Sequence, residues 1–327
     1  MTSADGFRLY TGEGSTVAQR GAELPLLDPP GSLDDPSGYL AEEGLRDAVN
    51  VALALGQPLL LTGEPGTGKT QLAASVAHEL GVPAPFVFNT KSTSTARDLF
   101  YQYDALRHFH DSQFRQGETA TEQYVTYEAL GLAILLAMEP GAAKEFLPQP
   151  LRARGPTRSV VLIDEVDKAP RDLPNDVLNE IEEMTFTVKE TGRRFAADRR
   201  YRPIVILTSN SEKTLPDAFL RRCVFYHLTF PSRERLIQIV QRRLGGAARL
   251  TPAMVEQAVR HFEKIRELGL RKRPSTAEFL AWLRVLDRLQ IDLSDLKPGQ
   301  REAIAFTYTI LAKSQEDLRY LQEQLPA

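Results

Sequence analysis

The chain has 327 residues, of which 42% are hydrophobic and 25% are charged. This balance is typical of folded globular proteins and excludes fibrous or wholly disordered classes. The length exceeds what one ordinary core fills, so two packed units with extensions are expected. The formal net charge is −3 and the pI is near 6.0, which gives no global attraction to nucleic acid or to an anionic membrane, although a local basic patch stays open.

Compartment signals are few. Cys223 is the single cysteine, so no disulfide can form within the chain, and a reducing compartment is favoured. The first residues, MTSADGFRLYTGEGST, lack the apolar segment of a secretory signal. The most apolar run, residues 129–138, is too short to span a membrane and predicts a buried helix. These features together predict a cytoplasmic protein.

The first predicted elements are an arm and a helix. Residues 1–40 are rich in Gly, Pro, Asp and Ser, which indicates an extended N-terminal arm. A helix is predicted from about residue 42 to residue 55, because its apolar side chains recur at helical spacing. The sequence Gly56-Gln57-Pro58 then ends this helix and leads into a strand.

The next stretch, LLLTGEPGTGKT, runs from an apolar strand through a glycine-rich loop into a helix. It matches the phosphate-binding pattern G-x-x-x-x-G-K-[ST], in which glycines let successive backbone N–H groups point at an anion. Lys69 is predicted to reach the β- and γ-phosphates, and the Thr70 hydroxyl is predicted to bind magnesium. The predicted nucleotide-binding residues are Gly63, Glu64, Pro65, Gly66, Thr67, Gly68, Lys69 and Thr70.

Two later strands end in polar side chains that this chemistry needs. The strand VVLI ends in Asp164, a predicted magnesium ligand, and Glu165, which is predicted to polarise the attacking water. The strand IVIL is followed by Asn210, whose amide is placed to reach the γ-phosphate and position that water. Near-continuous apolar strands that alternate with helices predict a parallel sheet covered on both faces. The five predicted strands are residues 59–62, 86–89, 159–163, 204–207 and 224–228.

Arginines follow in two places. Arg221 and Arg222 come shortly after Asn210, and an arginine that meets the γ-phosphate of a neighbouring copy stabilises transition-state charge. From about residue 232 the pattern predicts helices alone, with a last long helix over about residues 299–325. The basic segment Arg271-Lys272-Arg273 precedes one of these helices, where a cation can contact the phosphates.

This set of motifs resembles the AAA+ ATPases over about residues 40–325. GEPGTGKT is similar to Walker A, VVLIDE to Walker B, TSN to sensor 1, LRR to the arginine-finger region and RKRPST to sensor 2. Within AAA+, the chain looks most like the MoxR group. The wide spacing from Lys69 to Asp164 leaves room for that group's insert, at about residues 96–154, and residues 186–195 look like its hairpin before sensor 1. On this resemblance Arg222 is the first candidate for the finger and Arg221 the second, and Arg273 is the candidate for sensor 2.

The resemblance also implies an architecture and an activity. It implies an α/β nucleotide-binding core over residues 41–230, a helical lid over residues 231–327, and a ring, commonly a hexamer, with Mg²⁺ and ATP at each subunit junction. A finger on the far side of the sheet cannot reach its own nucleotide, so hydrolysis is expected to require assembly. MoxR-like proteins act as chaperone-like motors on protein partners, among them proteins with a von Willebrand factor A domain.

Two other functions remain open from the sequence. One is a nucleotide-gated scaffold or switch in a defence or stress system, with slow turnover or none. The other is a nucleic-acid motor, because a group of arginines lies in or after the predicted hairpin: Arg193, Arg194, Arg199, Arg200 and Arg202. The acidic net charge and the lack of a recognisable nucleic-acid module make nucleic acid the weaker expectation. No guanine signature Asn-Lys-x-Asp occurs, and the five histidines show no zinc-ligand spacing.

Overall fold

The computed structural model describes residues 35–114, 120–170, 172–211, 215–245, 250–293, 296 and 300–325. Residues 1–34, which make up most of the predicted arm, lie outside these ranges, as does Gly299, where the last helix was expected to begin. The strands are β1 Leu59–Gly63, β2 Phe86–Asn89, β3 Tyr101–Tyr103, β4 Val125–Tyr127, β5 Val160–Asp164, β6 Thr185–Val188, β7 Arg193–Ala196, β8 Ile204–Thr208 and β9 Val224–Leu228.

The helices of the described residues fall into two sets. Those that accompany the strands are α1 Glu43–Leu55, α2 Lys69–Glu79, α3 Ala105–Phe114, α4 Ala129–Leu136, α5 Gln149–Arg152, α6 Leu173–Asp176, α7 Leu178–Glu183 and α8 Asp217–Leu220. Those that follow the last strand are α9 Arg233–Leu244, α10 Pro252–Glu267, α11 Thr276–Arg288, α12 Gln300–Thr307 and α13 Gln315–Gln324.

A five-stranded parallel sheet of order β2-β5-β8-β1-β9 forms the centre of the first part of the chain. Its middle strands are almost wholly buried, as expected for strands covered on both faces. Helix α2 packs on β5, β1 and β8, and α1 packs on the edge strand β9. The prediction of a five-stranded parallel α/β sheet with a helical C-terminal part is confirmed.

The segment predicted as an insert, residues 96–154, has two different parts. Its first part is a small module in which α3 lies between the paired strands β3 and β4. Its second part contains α4, which packs directly on β2 and β5 and is therefore a crossover helix of the sheet itself. The run of apolar side chains in α4 is buried against the sheet, so the inserted segment is shorter than the sequence spacing suggested.

The predicted hairpin before Asn210 is present as the antiparallel pair β6 and β7. Phe186 and Phe195 face each other across it, with ring centroids 5.1 Å apart. These rings join Phe100, Tyr127 and Phe146 in an aromatic cluster, so the hairpin is held by burial of large rings as well as by its strand pairing.

The helices after β9 have a core of their own. His261 stacks between Trp282 and Tyr308, at centroid distances of 5.6 and 5.9 Å, and its Nε2 hydrogen-bonds the Tyr308 hydroxyl at 2.8 Å. Burial, together with a smaller contribution from the nearby Lys264, lowers the pKa of His261 to about 4, so this imidazole is neutral at pH 7.

The prediction of one long final helix over residues 299–325 is wrong. Helix α12 ends at Thr307, a short 3-10 turn follows, and α13 begins after Ser314, whose hydroxyl accepts a hydrogen bond from the backbone N–H of Asp317. Ser314 is therefore an N-cap, and such a residue favours a helix start over a helix interior.

Contacts divide the described chain into two compact units. The α/β unit contains Ala41–Glu64 and Lys69–Thr229. The helical unit contains residues 35–40, Pro65–Gly68 and the chain from Phe230 onward. Among the described residues, no helix combines the length and the apolar character that crossing a bilayer requires.

Candidate active site

The glycine-rich loop leaves β1 through a backbone position that only glycine fits. Gly63 has φ +143°, and a Cβ added there would lie 2.3 Å from the carbonyl oxygen of Leu228 on β9. The tip of the loop, Pro65–Gly68, includes two further positive φ angles, at Gly66 and Gly68. The chain then enters α2 at Lys69, so the loop ends at a helix N-terminus, where backbone N–H groups favour an anion.

Lys69 is buried, with 7% of its surface exposed, although it carries a charge. Its ammonium donates hydrogen bonds to the carbonyl oxygens of Gly63 (2.8 Å) and Glu64 (2.9 Å) and to Oδ1 of Asn210 (3.1 Å). Burial lowers the pKa of Lys69, while the carboxylates of Asp164, Asp167 and Glu165 oppose this shift. A phosphate oxygen would replace these neutral acceptors with a charged one, which strengthens the hydrogen bonds of the ammonium.

Thr70 and Asp164, the predicted magnesium ligands, are in contact. The Thr70 hydroxyl donates to Asp164 Oδ1 at 3.0 Å, and the Thr208 hydroxyl donates to the same oxygen at 2.5 Å. Within the described ranges, no three His, Cys, Asp or Glu side chains gather into a metal site of their own. Mg²⁺ prefers one or two protein oxygens together with phosphate oxygens and water, so a paired hydroxyl and carboxylate fits this ion.

Glu165 follows β5 directly and adopts a left-handed conformation, with φ +56° and ψ +48°. This conformation is uncommon for a residue with a side chain and directs the chain into a 3-10 turn, Val166–Lys168. The backbone N–H of Glu165 donates to the Thr208 hydroxyl at 2.9 Å, and its carboxylate pairs with the ammonium of Lys168. Glu165 thus lies at the carboxyl edge of the sheet, directly after Asp164 in the chain.

Asn210 lies just beyond β8, the neighbour of both β1 and β5. Its side-chain oxygen accepts from Lys69, and its backbone N–H donates to Oδ1 of Asp167 at 3.2 Å. The amide therefore joins the phosphate loop to the turn after Glu165. The fold brings together Gly63, Glu64, Lys69, Thr70, Asp164, Glu165 and Asn210 at one edge of the sheet.

Arg221 and Arg222 lie at the opposite edge. Arg222 precedes β9, which runs parallel to β1 with Val224 beside Leu59 and Leu228 beside Gly63. The strand length alone separates Arg222 from the phosphate loop by about 13 Å at the usual rise per residue. That distance exceeds the reach of an arginine side chain, so neither arginine contacts Lys69 of its own chain.

Arg222 contributes to the wall of a cavity of about 760 Å³ in the α/β unit, together with Glu182, Met184 and Phe219. Its guanidinium is 3.4 Å from Oδ1 of Asn179 and 3.7 Å from Oε2 of Glu182, and its side chain is 46% exposed. Arg221 is exposed at the end of α8. The next residue, Cys223, is shielded, and burial raises the pKa of its thiol to about 12.

Arg273 belongs to the helical unit, where it is exposed two residues before the N-cap of α11. Arg271 in the same segment is bound within that unit, because its guanidinium pairs with Glu316 at 2.7 Å and its backbone N–H donates to Asp317 at 3.0 Å. The assignment of Arg273 to sensor 2 stays a prediction.

Three residues of the network were missed in the sequence. Thr208 bonds to both Asp164 and Glu165, Asp167 bonds to Asn210, and Lys168 bonds to Glu165. Asp167 and Lys168 had a detectable signal, since they follow the two acids within one turn. Thr208 had little signal in the sequence, because its role depends on β8 lying beside β5.

Comparisons with known proteins give a family and several partial likenesses. The family model described as AAA domain (dynein-related subfamily) matches residues 58–223. RuvB-like helicase 1 of Mycosarcoma maydis is 40% identical over 70 residues, which are 19% of this chain and 14% of that protein. RuvB-like helicase 1 of Drosophila pseudoobscura pseudoobscura is 33% identical over 109 residues, 28% of this chain and 24% of that protein.

Solved structures give a third comparison. Two mutants of Thermotoga maritima RuvB are each 16% identical to this chain, and each comparison covers 90% of this chain. The first has a TM-score of 0.44 with 73% of its own chain covered, and the second has a TM-score of 0.47 with 80% covered. This chain spans less than a quarter of the length of the two RuvB-like helicases. The family match reaches just over half of the 327 residues and contains both acids and the loop. By that match, this chain belongs to the AAA domain family, dynein-related subfamily.

Proposed function

We propose that this chain is a MoxR-like AAA+ ring ATPase that hydrolyses Mg·ATP and uses the energy to remodel a protein partner. The observation that carries the proposal is the network of Lys69, Thr70, Asp164, Glu165 and Asn210 at one edge of the sheet, with Arg222 at the other. These are the groups that phosphoryl transfer to water requires. Because Arg222 lies at the other edge of the sheet, a second copy of the chain would have to bring its Arg222 to the bound nucleotide.

Each residue has a distinct task in this reaction. Lys69 and the loop N–H groups bind the β- and γ-phosphates, and Asn210 orients the attacking water. Thr70 and Asp164 would hold Mg²⁺, which neutralises charge on the phosphate oxygens when it is bound. The water oxygen attacks the γ-phosphorus as the bond to the β-phosphate oxygen breaks, and Glu165 accepts the proton of the water.

The first experiment compares Glu165→Gln with the unchanged chain in the presence of Mg·ATP. We expect calorimetric affinity for Mg·ATP within a few-fold of the original and turnover lower by about 10²–10⁴, the usual contribution of a general base. Glu79→Gln, a change at an exposed carboxylate at the end of α2, is the matched control and should leave both quantities unchanged. Normal turnover by Glu165→Gln would contradict the assignment.

The partner and the ring are proposed from the resemblance to MoxR proteins. A hexamer with ATP at each junction supplies the second copy that Arg222 needs. A protein partner with a von Willebrand factor A domain is the expected target, and ATP-dependent capture of such a partner by Glu165→Gln tests it. In the control without nucleotide, Glu165→Gln should not capture the partner.

A nucleic-acid-linked motor is the second candidate, because the chain is 40% and 33% identical in part to two proteins described as helicases. Several arginines around the hairpin are already engaged within the chain, however. Arg193 lies 3.3 Å from Glu145, Arg194 lies 3.4 Å from Glu183, and Arg202 donates to backbone carbonyls. Stimulation of ATP hydrolysis by DNA or RNA, with a steep fall as salt rises, would favour this candidate over the first.

A further inference from the structure

Lys168 lies one short turn after Glu165, and the local backbone brings the two side chains together. Its backbone N–H donates to the carbonyl oxygen of Glu165 at 2.9 Å. In a 3-10 turn, side chains three residues apart lie on the same side of the turn. The Lys168 ammonium accordingly pairs with Oε2 of the Glu165 carboxylate.

The turn that carries Lys168 is attached to the rest of the site at its start and in its middle. At its start, the Glu165 N–H donates to the Thr208 hydroxyl at 2.9 Å. Within it, Asp167 accepts the N–H of Asn210 at 3.2 Å, and the side chain of Asn210 accepts from Lys69 at 3.1 Å. The position of Lys168 is therefore fixed by the same contacts that fix the predicted phosphate-binding residues.

We propose that Lys168 is a positioning residue, which holds the Glu165 carboxylate in the orientation that accepts a proton from the attacking water. The inference rests on the proposed function of this site. The ammonium occupies one carboxylate oxygen, Oε2, and leaves the other to accept the hydrogen bond of the water. A glutamate side chain has three rotatable bonds, and restricting them in advance avoids an entropic cost during the reaction.

The charge of Lys168 is maintained by the same contact. The hydrogen bond to Glu165 raises the pKa of Lys168, and the carboxylates of Asp167 and Asp164 add to this effect. Both side chains are substantially exposed, at 53% and 41%, and ion pairs at such positions contribute little to folding stability. Removal of the ammonium should therefore change catalysis and leave the stability of the chain almost unchanged.

The test is Lys168→Met, which keeps the length of the side chain and removes its charge. We expect kcat to fall about tenfold, as for a misplaced catalytic group, with the KM for ATP within about twofold and the Tm unchanged. Lys168→Arg should retain most of the original kcat, because a guanidinium also pairs with a carboxylate. Lys144→Met, at an exposed lysine in the loop before α5, is the matched control and should behave as the original chain.

A second arm shows whether the effect passes through Glu165. In a Glu165→Gln background the carboxylate is gone, so Lys168→Met should cause no further loss of the residual turnover. A kcat for Lys168→Met that equals or exceeds the original, or the same tenfold loss in the Glu165→Gln background, would overturn the inference. If the unchanged chain binds no Mg·ATP and does not hydrolyse it, the proposed function fails and the inference fails with it. If Glu165→Gln is inactive and Lys168→Met is normal, only the inference fails.

Discussion

Thr208 forms hydrogen bonds with both acidic residues of the site, with the side chain of Asp164 and with the backbone of Glu165. Its hydroxyl donates to Asp164 and accepts from the backbone N–H of Glu165, and the residue is 1% exposed. One buried hydroxyl thus uses its donor on the last residue of the neighbouring strand β5 and its acceptor on the residue that follows that strand. It holds the side chain of the predicted magnesium ligand and the backbone of the predicted base at the same time.

Replacement of Thr208 by Val therefore leaves a partly buried N–H and a carboxylate oxygen without this partner. We expect the free energy of unfolding to fall by about 1–3 kcal/mol, the cost of unpaired buried polar groups, and kcat to fall as well. Urea unfolding and steady-state ATP hydrolysis are the measurements. Thr208→Ser keeps the hydroxyl and is the matched control, which should retain most of the stability and of the kcat. A Thr208→Val variant with the stability and kcat of the original chain would contradict the role given to the hydroxyl.

Lys69, Asp164 and Thr208 show what could be read from the sequence at this scale. The loop and the acids occur in short stretches with fixed spacing, because a curled backbone and a strand end determine their geometry locally. The role of Thr208 depends on β8 pairing with β5, with Leu207 beside Ile163, and such a pairing is a tertiary fact. A threonine at the end of an apolar run is otherwise ordinary for a strand.

At the scale of elements, the predicted positions of the strands were correct, whereas the strand order was not predicted and the final helix was wrong. Apolar runs located all five strands of the main sheet. The three central strands are buried and therefore continuously apolar, and the edge strands β2 and β9 keep short apolar runs although they are partly exposed. The runs did not indicate the order β2-β5-β8-β1-β9, which depends on how the crossovers pack. The final helix was predicted as continuous, although Ser314, whose hydroxyl accepts a hydrogen bond from the backbone N–H of Asp317, marks a new helix start.

The stack of His261 with Trp282 and Tyr308 makes the stability of the helical unit dependent on pH. The folded pKa of His261, about 4, lies below its ordinary value of 6.5, so the unfolded chain takes up the proton first as the pH falls. Stability is then fully present above pH 6.5 and is lost between pH 6.5 and 4, by about 1.4 kcal/mol per pH unit for one proton.

Trp282 is the single tryptophan of the chain and reports this loss directly. Urea titrations followed by its fluorescence at pH 7, 6 and 5 should show midpoints that fall with pH. His261→Gln removes the titrating group and should reduce the slope, while His78→Gln, at an exposed histidine of α2, should retain it. A slope that persists in His261→Gln would assign the pH dependence to other groups.

At the scale of the whole molecule, the position of Arg222 makes assembly part of the proposed chemistry. The strand β9 separates it from the loop of its own chain, and its present contacts with Asn179 and Glu182 are long and partly exposed. Such contacts are weak enough to be exchanged for the γ-phosphate of a neighbouring copy.

Mixing two inactive variants tests this arrangement. Arg222→Ala should bind Mg·ATP and lose turnover by about 10³–10⁵, the usual contribution of an arginine finger. When Arg222→Ala and Glu165→Gln are mixed, some junctions combine an intact base from one copy with an intact arginine from the other. We expect turnover to reappear on mixing and to rise with protein concentration, whereas a finger that acts within one chain would give no recovery.

The shielded thiol of Cys223 has a practical consequence for such mixing experiments. With a pKa near 12, almost none of it is thiolate at neutral pH, and the thiolate is the form that maleimides alkylate. A second cysteine introduced on an exposed helix would consequently take up a dye while the native thiol is spared. Donor- and acceptor-labelled chains prepared in this way would report subunit exchange by energy transfer, without prior removal of the natural cysteine.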